Sequence, residues 1–248
     1  MNVWNMQDEK DVEEFKNNLM GLDDEFRFKC RKCGKCCTHQ HTILFNTRDI
    51  FRIAQKLEIT PMMVIEKYAE TYIGDSTCIP VVRMVPRGKQ EACPFLEEGR
   101  CSIHDCKPTV CAIYPLGRVI MGDTMEEIST AKVQYFIQNH SCGSQKQRHT
   151  VREWLGRFNI PENDEFFLLW TKVVSALSIP FRELRQKGIA EEPLNTLWNI
   201  VYHELYLNYN LRKDFMPQFQ ASSERLIKLS QLAKELLVHL DTQPRLEV

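Results

Sequence analysis

Cys30-Arg31-Lys32-Cys33-Gly34-Lys35-Cys36-Cys37 decides how the rest of this sequence is read. Two residues between cysteines let a tight turn aim both sulfurs at one ion. Gly34 relieves crowding just after the second thiol, so backbone N–H groups can point at the sulfurs, a device of zinc knuckles and iron–sulfur loops. Lys32 and Lys35 add positive charge that favours thiolate. The spacing signals a metal without naming it. Neighbouring side chains in an extended segment point to opposite sides. If Cys30, Cys33 and Cys36 converge on one centre, Cys37 therefore faces a second centre or remains a thiol.

A second cysteine-rich stretch follows, with Cys93-Pro94-Phe95-Leu96 and then residues 101–115, CSIHDCKPTVCAIYP. Pro108 suits the first turn of a short helix, which puts Cys111 near a helix N-terminus, where thiolate is favoured. Cys142-Gly143 comes last. His104 reads as a surface or packing histidine, because thiolates are already plentiful around it. Cys78 reads as a packed thiol, and Cys106 as either a spare ligand or an exposed thiol. All 10 cysteines lie between Cys30 and Cys142. The chain begins MNVWNMQDEKDVEEF, without the basic and apolar regions of a signal peptide. No apolar run approaches the roughly 20 residues needed to span a bilayer. The expected location is therefore the thiol-reducing cytoplasm, where clustered cysteines mean metal or redox chemistry rather than disulfides.

Lysine and arginine number 32 against 33 acidic residues, for a net charge of -1. That balance lacks the basic footprint of a nucleic-acid binder and argues against a membrane surface. The 248 residues make one large domain or two small ones. An amphipathic lead-in helix is expected over 8–26, on Val12, Phe15, Leu19 and Leu22. Asn46-Thr47 and Thr60-Pro61 start the two helices of a hairpin that runs to Tyr72. Strands are expected over 42–45, 79–85, 118–121 and 135–137, with a turn at Gly122-Asp123. Residues 141–150 look like a seam, after which everything reads as helix. Thr150 to Glu153 fits a capping box, Pro161 opens the next helix, and two more follow over 193–209 and 217–240. The expected class is α+β. It comprises a lead-in helix (1–27), a small metal-nucleated cysteine-cluster domain with a helical hairpin and short strands (28–144), and an all-helical C-terminal region (145–248).

The ordered set Cys30-x2-Cys33-x2-Cys36-Cys37, Cys93-Pro-Phe-Leu, Cys101-Ser-Ile-His, Lys107-Pro108, Cys111-x3-Pro115 and Cys142 resembles the YkgJ-type cysteine-cluster proteins. These are described as zinc- or iron-chelating and carry a CxxCxxCC signature. The resemblance runs from about Phe28 to Gly143. It implies metal ligation by Cys30, Cys33, Cys36, Cys37, Cys93, Cys101, Cys111 and Cys142. Flagellin lysine N-methylases contain a domain of this type, so it also implies iron–sulfur and methyl-transfer chemistry. Lys107 stands where the family has arginine, and Ala112-Ile113-Tyr114 replaces an arginine-containing triplet, so an anion-binding role of those arginines does not carry over to this chain by the resemblance.

Eight thiolates divide into two tetrahedral four-thiolate sites or two cubane clusters, and one cluster beside one zinc also fits. The cofactor expected is an iron–sulfur cluster of the 4Fe–4S type, or zinc. SAM is compatible with the methylase link, but no motif supports it: Cys33 and Cys37 have the first radical-SAM interval, and Gln40 stands where the third cysteine belongs. His203-Glu204 lacks the second histidine of a zincin, and there is no Walker loop, dinucleotide fingerprint or nucleophile–base pair. The expected function is a metal-binding, iron–sulfur protein with a redox or protein-modifying role. The alternative is a structural zinc domain whose helical tail binds a protein partner.

Overall fold

The computed structural model describes residues 9–31, 33–122, 125–138, 142–189 and 191–242. Expectations that fall on Asp8, Lys32, Asp123 and Ser141 lie outside them. Along the chain, α1 (Glu9–Asn17) and β1 (Glu25–Lys29) precede a 3-10 turn over Lys35–Cys37. Then come β2 (Leu44–Phe45), α2 (Thr47–Leu57), α3 (Pro61–Tyr68), β3 (Ala69–Ile73) and β4 (Pro80–Met84). The second cysteine stretch carries β5 (Leu96–Glu97), β6 (Arg100–Cys101) and α4 (Thr109–Ile113). It leads into β7 (Leu116–Ile120), α5 (Met125–Thr130), β8 (Val133–Ile137), β9 (Ser144–Thr150) and α6 (Val151–Gly156). The C-terminal helices are α7 (Glu165–Gln186), α8 (Glu191–Tyr202) with a π-turn over His203–Leu207, and α9 (Phe215–Thr242). The class is α+β, with short antiparallel strands and a helical C-terminal region.

The chain divides into two compact units, Met1–Leu44 with Met84–Glu165, and Phe45–Arg83 with Phe166–Val248. In the first, β1 pairs antiparallel with β9, from Glu25 opposite Thr150 to Lys29 opposite Ser144, with a bulge between Arg27 and Lys29. The strict alternation of Glu25-Phe26-Arg27-Phe28-Lys29 buries both phenylalanines and exposes the charges. They pack with Ile113, Leu116, Tyr135, Val151, Trp154 and Leu155. Strands β7 and β8 form a second antiparallel pair, from Leu116 opposite Ile137 to Ile120 opposite Val133. The Trp154 indole donates to the Ile113 carbonyl at 2.9 Å, which ties α6 to the end of α4.

In this unit the structure differs from the sequence expectation at two places. The lead-in helix ends at Asn17, because Gly21 to Asp24 form a turn in which the Gly21 N–H donates to the Asp24 carboxylate at 2.7 Å. Residues 144–150, read as a seam, are a strand of the first unit.

In the second unit β2, β4 and β3 form a sheet in that order. The hairpin starts as its caps dictate. Asn46 and Asp49 form a reciprocal capping box on α2, and the Thr60 side chain accepts from the Met63 N–H at the start of α3. α3 stops at Tyr68 rather than running to Tyr72, since Thr71, Tyr72 and Ile73 suit the strand β3 that follows. The hairpin packs with the C-terminal helices. Phe51 of α2 lies in one aromatic cluster with Phe166, Tyr209 and Phe219, and the Tyr206 hydroxyl donates to the Pro80 carbonyl at 3.3 Å. α7 begins at Glu165, not at Pro161, and carries a buried Pro180 within it. No helix of the described residues is long and apolar enough to cross a membrane.

Candidate metal centre

Each cysteine of the set is brought to its place by a separate local device, and all eight belong to the first unit. Cys30 leaves the ladder directly after β1. Gly34 adopts φ +71 at the start of the 3-10 turn, a left-handed conformation that costs other residues about 1–2 kcal/mol. The Cys37 N–H then donates to the Gly34 carbonyl at 2.8 Å. Cys36 and Cys37 are thus in a tight turn, not the extended segment the sequence reading assumed. Successive side chains there diverge by about 120° rather than 180°, and the two sulfurs stand 3.9 Å apart.

The second stretch is laid against the first by backbone bonds. The Cys93 N–H donates to the Cys37 carbonyl at 2.7 Å and the His39 N–H to the Glu91 carbonyl at 2.9 Å. Side chains reinforce the join, for Glu91 accepts from or pairs with His39 Nδ1 at 2.8 Å and His41 Nε2 at 3.2 Å. The sequence held no signal for this contact, which depends on residues some fifty positions apart. From Cys93 the chain runs into the β5–β6 hairpin. Glu98 and Gly99 both have positive φ, as a tight two-residue hairpin turn requires, and Cys101 returns opposite Leu96. Pro108 caps α4 and Cys111 is its third residue, as expected, with its N–H on the Pro108 carbonyl at 2.9 Å. Cys142 precedes Gly143, whose φ is +79 and whose backbone lies so close to Phe28 that a Cβ there would stand 2.3 Å from the ring.

Thiols of the two cysteine stretches act on one another. Cys37 is lowered, first by a hydrogen bond from Cys36, against burial and the opposing effect of Cys93, Cys111 and Cys101. Cys142 is raised, first by burial, with Cys36, Cys33 and Cys30 adding to it. Cys30, Cys33 and Cys36 thus neighbour Cys142, and Cys93, Cys101 and Cys111 neighbour Cys37, but Cys36 also acts on Cys93 and Cys101 and so joins the two groups. They meet at the Cys36–Cys37 contact, where Cys36 keeps its proton and is raised well above the ordinary thiol range by that bond. Burial also raises Cys93 and Cys101. The sulfurs are within electrostatic reach of one another but not drawn together. Among the described residues no group of three or more His, Cys, Asp or Glu side chains is arranged to hold a metal ion.

The donor set nevertheless fits a thiophilic ion. Soft thiolates in fours suit zinc and iron–sulfur clusters. Positive charge comes from Lys107, which partly opposes the rise of Cys36 and Cys101 while its ammonium lies 4.1 Å above the Phe158 ring. Sequence reading had looked to Lys32 and Lys35 for that role. The Tyr114 hydroxyl lies 3.4 Å from the Cys142 sulfur, a contact it did not foresee. Cys78 is buried in the second unit, its thiol donating to the Asp75 carbonyl at 3.6 Å, and Cys106 is buried too, so it is not an exposed thiol. His104 packs edge-on against Phe158 at 5.6 Å.

Residues 29–146 match the model of the CxxCxxCC family, described as "Putative zinc- or iron-chelating domain". No curated protein and no solved structure matches the chain. The match supports metal binding by the cysteine-rich domain. It spans both cysteine stretches and also the hairpin of Phe45–Arg83, which packs with the C-terminal helices.

Proposed function

From the premise that residues 29–146 form a CxxCxxCC domain, we propose that the protein is an iron–sulfur protein holding two centres in its cysteine module, residues 28–144. Cys30, Cys33, Cys36 and Cys142 would hold one, and Cys37, Cys93, Cys101 and Cys111 the other. The observation that carries this reading is that the turn at Gly34 sets the Cys36 and Cys37 sulfurs 3.9 Å apart while the Cys93 N–H is bonded to the Cys37 carbonyl at 2.7 Å. An iron–sulfur cluster supplies one-electron redox chemistry when bound. The chain's own part is to hold the thiolates, to offset their charge with Lys107, and to keep the turn at Gly34 open to backbone donors. Exposure of Cys30, Cys33 and Cys36 suits exchange of electrons with a protein partner. Methyl transfer needs a SAM site that no motif here supplies, so the proposal stops at metal holding and electron transfer.

Isolation without oxygen, followed by assay of iron, sulfide and zinc and by visible spectra before and after dithionite, tests the reading. Iron and acid-labile sulfide in equal amounts, with an absorption that bleaches on reduction, is the expected result. A colourless protein with stoichiometric zinc overturns it in favour of a structural zinc domain.

A further inference from the structure

Tyr114 stands at the end of α4, and its ring meets Phe28 edge-on at 6.0 Å. The backbone on both sides of it is pinned. The Ile113 carbonyl accepts from Trp154 at 2.9 Å and the Pro115 carbonyl accepts from the Gln138 N–H at 2.9 Å. Its hydroxyl is 3.4 Å from the Cys142 sulfur. Cys142 is held in turn through Gly143, whose left-handed backbone is pressed against the same Phe28 ring. One aromatic side chain therefore fixes both ends of the contact, and that ring is itself buried in the β1–β9 core. A metal-bound thiolate has no proton to donate, so in the loaded protein the phenol is the donor.

We propose that Tyr114 is a positioning residue for the centre that includes Cys142, donating its phenolic hydrogen to that sulfur and so setting the electron density available to the metal. The inference rests on the assignment of Cys142 as a ligand. Hydrogen bonds to ligating sulfurs are among the factors that set cluster potentials.

The experiment compares the native chain with Tyr114→Phe, both isolated without oxygen, carrying their own metal and assayed for it first. Phenylalanine keeps the ring against Phe28 and deletes only the hydroxyl. If the metal is iron, the variant is expected to titrate at a more negative reduction potential with the same metal content. If it is zinc, exchange for cobalt(II) is expected to give a thiolate-to-cobalt band at longer wavelength in the variant. Equal potentials or equal bands at equal metal content overturn the inference and leave the two-centre reading standing. Should Tyr114→Phe fail to fold, the native chain grown with 3-fluorotyrosine, a stronger hydrogen-bond donor, shifts the same readout the opposite way, and no shift there overturns the inference. A folded native chain without metal overturns the two-centre reading, and the inference with it.

Discussion

The N–H of Cys93 donates to the carbonyl of Cys37 at 2.7 Å, so the two cysteine stretches are joined through their backbones as well as through any shared ion. A thiolate-held structural metal contributes an apparent ~10–16 kcal/mol, against a net stability of ~5–15 kcal/mol for an ordinary domain. The short turns around these cysteines bury little of their own, and the 3-10 turn has no buried residue. Removal of metal by a chelator is expected to release the Cys93 amide to hydrogen exchange, while amides beside the buried Phe219 in α9 stay protected. Persistent protection of Cys93 after complete metal removal contradicts this.

Gly34 and Gly143 both have left-handed backbones but differ in surroundings. A Cβ on Gly34 meets nothing within 4 Å, so Gly34→Ala is expected to cost only the backbone conformation, about 1–2 kcal/mol. Gly143→Ala adds a collision with Phe28, bringing a further ~1–3 kcal/mol of overpacking. Denaturation midpoints of the two variants check the order, and equal losses contradict it.

Arg118 Nη1 and Asp164 Oδ2 are paired at 2.7 Å, with 7% and 4% of their side chains exposed. Removing one partner of such a pair leaves a buried charge and costs about 3–5 kcal/mol. Asp164→Ala is therefore expected to lower the denaturation midpoint sharply, and Arg118→Met combined with Asp164→Leu to recover much of the loss. A double variant less stable than both singles disagrees with this account.

His149 is buried, and its ring bridges the Phe28 carbonyl at 3.0 Å and Arg157 at 3.3 Å. Burial, then the Arg157 charge, holds its pKa below the ordinary 6.5. The unfolded chain therefore binds a proton that the folded chain refuses, and stability falls as pH drops below about 6.5. Above that value His149 imposes no such loss. Urea denaturation between pH 5 and 7 (a range set by the ordinary imidazole pKa of about 6.5) is expected to show a weaker acid-side decline in His149→Gln. An unchanged profile rejects the assignment.

Local chemistry was legible in the sequence, whereas long-range pairing was not. Asn46, Thr60 and Thr150 act on groups three residues away, so their helix starts could be read directly. Gly34 announced its turn, and Pro108 the helix that carries Cys111. β9 escaped because Ser144 to Thr150 has a polar, mostly exposed pattern with no alternation to betray it. Its strand character comes from β1, whose Phe26 faces His149. Phe26 and Phe28 did show a two-residue period, but the helical reading of 8–26 absorbed its beginning. Adjacency in an extended segment suggests that Cys36 and Cys37 point apart, whereas the 3-10 turn sets their sulfurs 3.9 Å from each other. The approach of Cys93 to Cys37 depends on the join at Glu91, and the place of Cys142 on β9 pairing with β1, neither of which a spacing encodes.

Native mass spectrometry of the chain isolated without oxygen tests the central claim most directly. The account predicts a folded protein whose mass exceeds that of the polypeptide by two thiolate-held metal centres, with one lost in Cys33→Ser and the other in Cys111→Ser. A well-folded native chain at the bare polypeptide mass contradicts it.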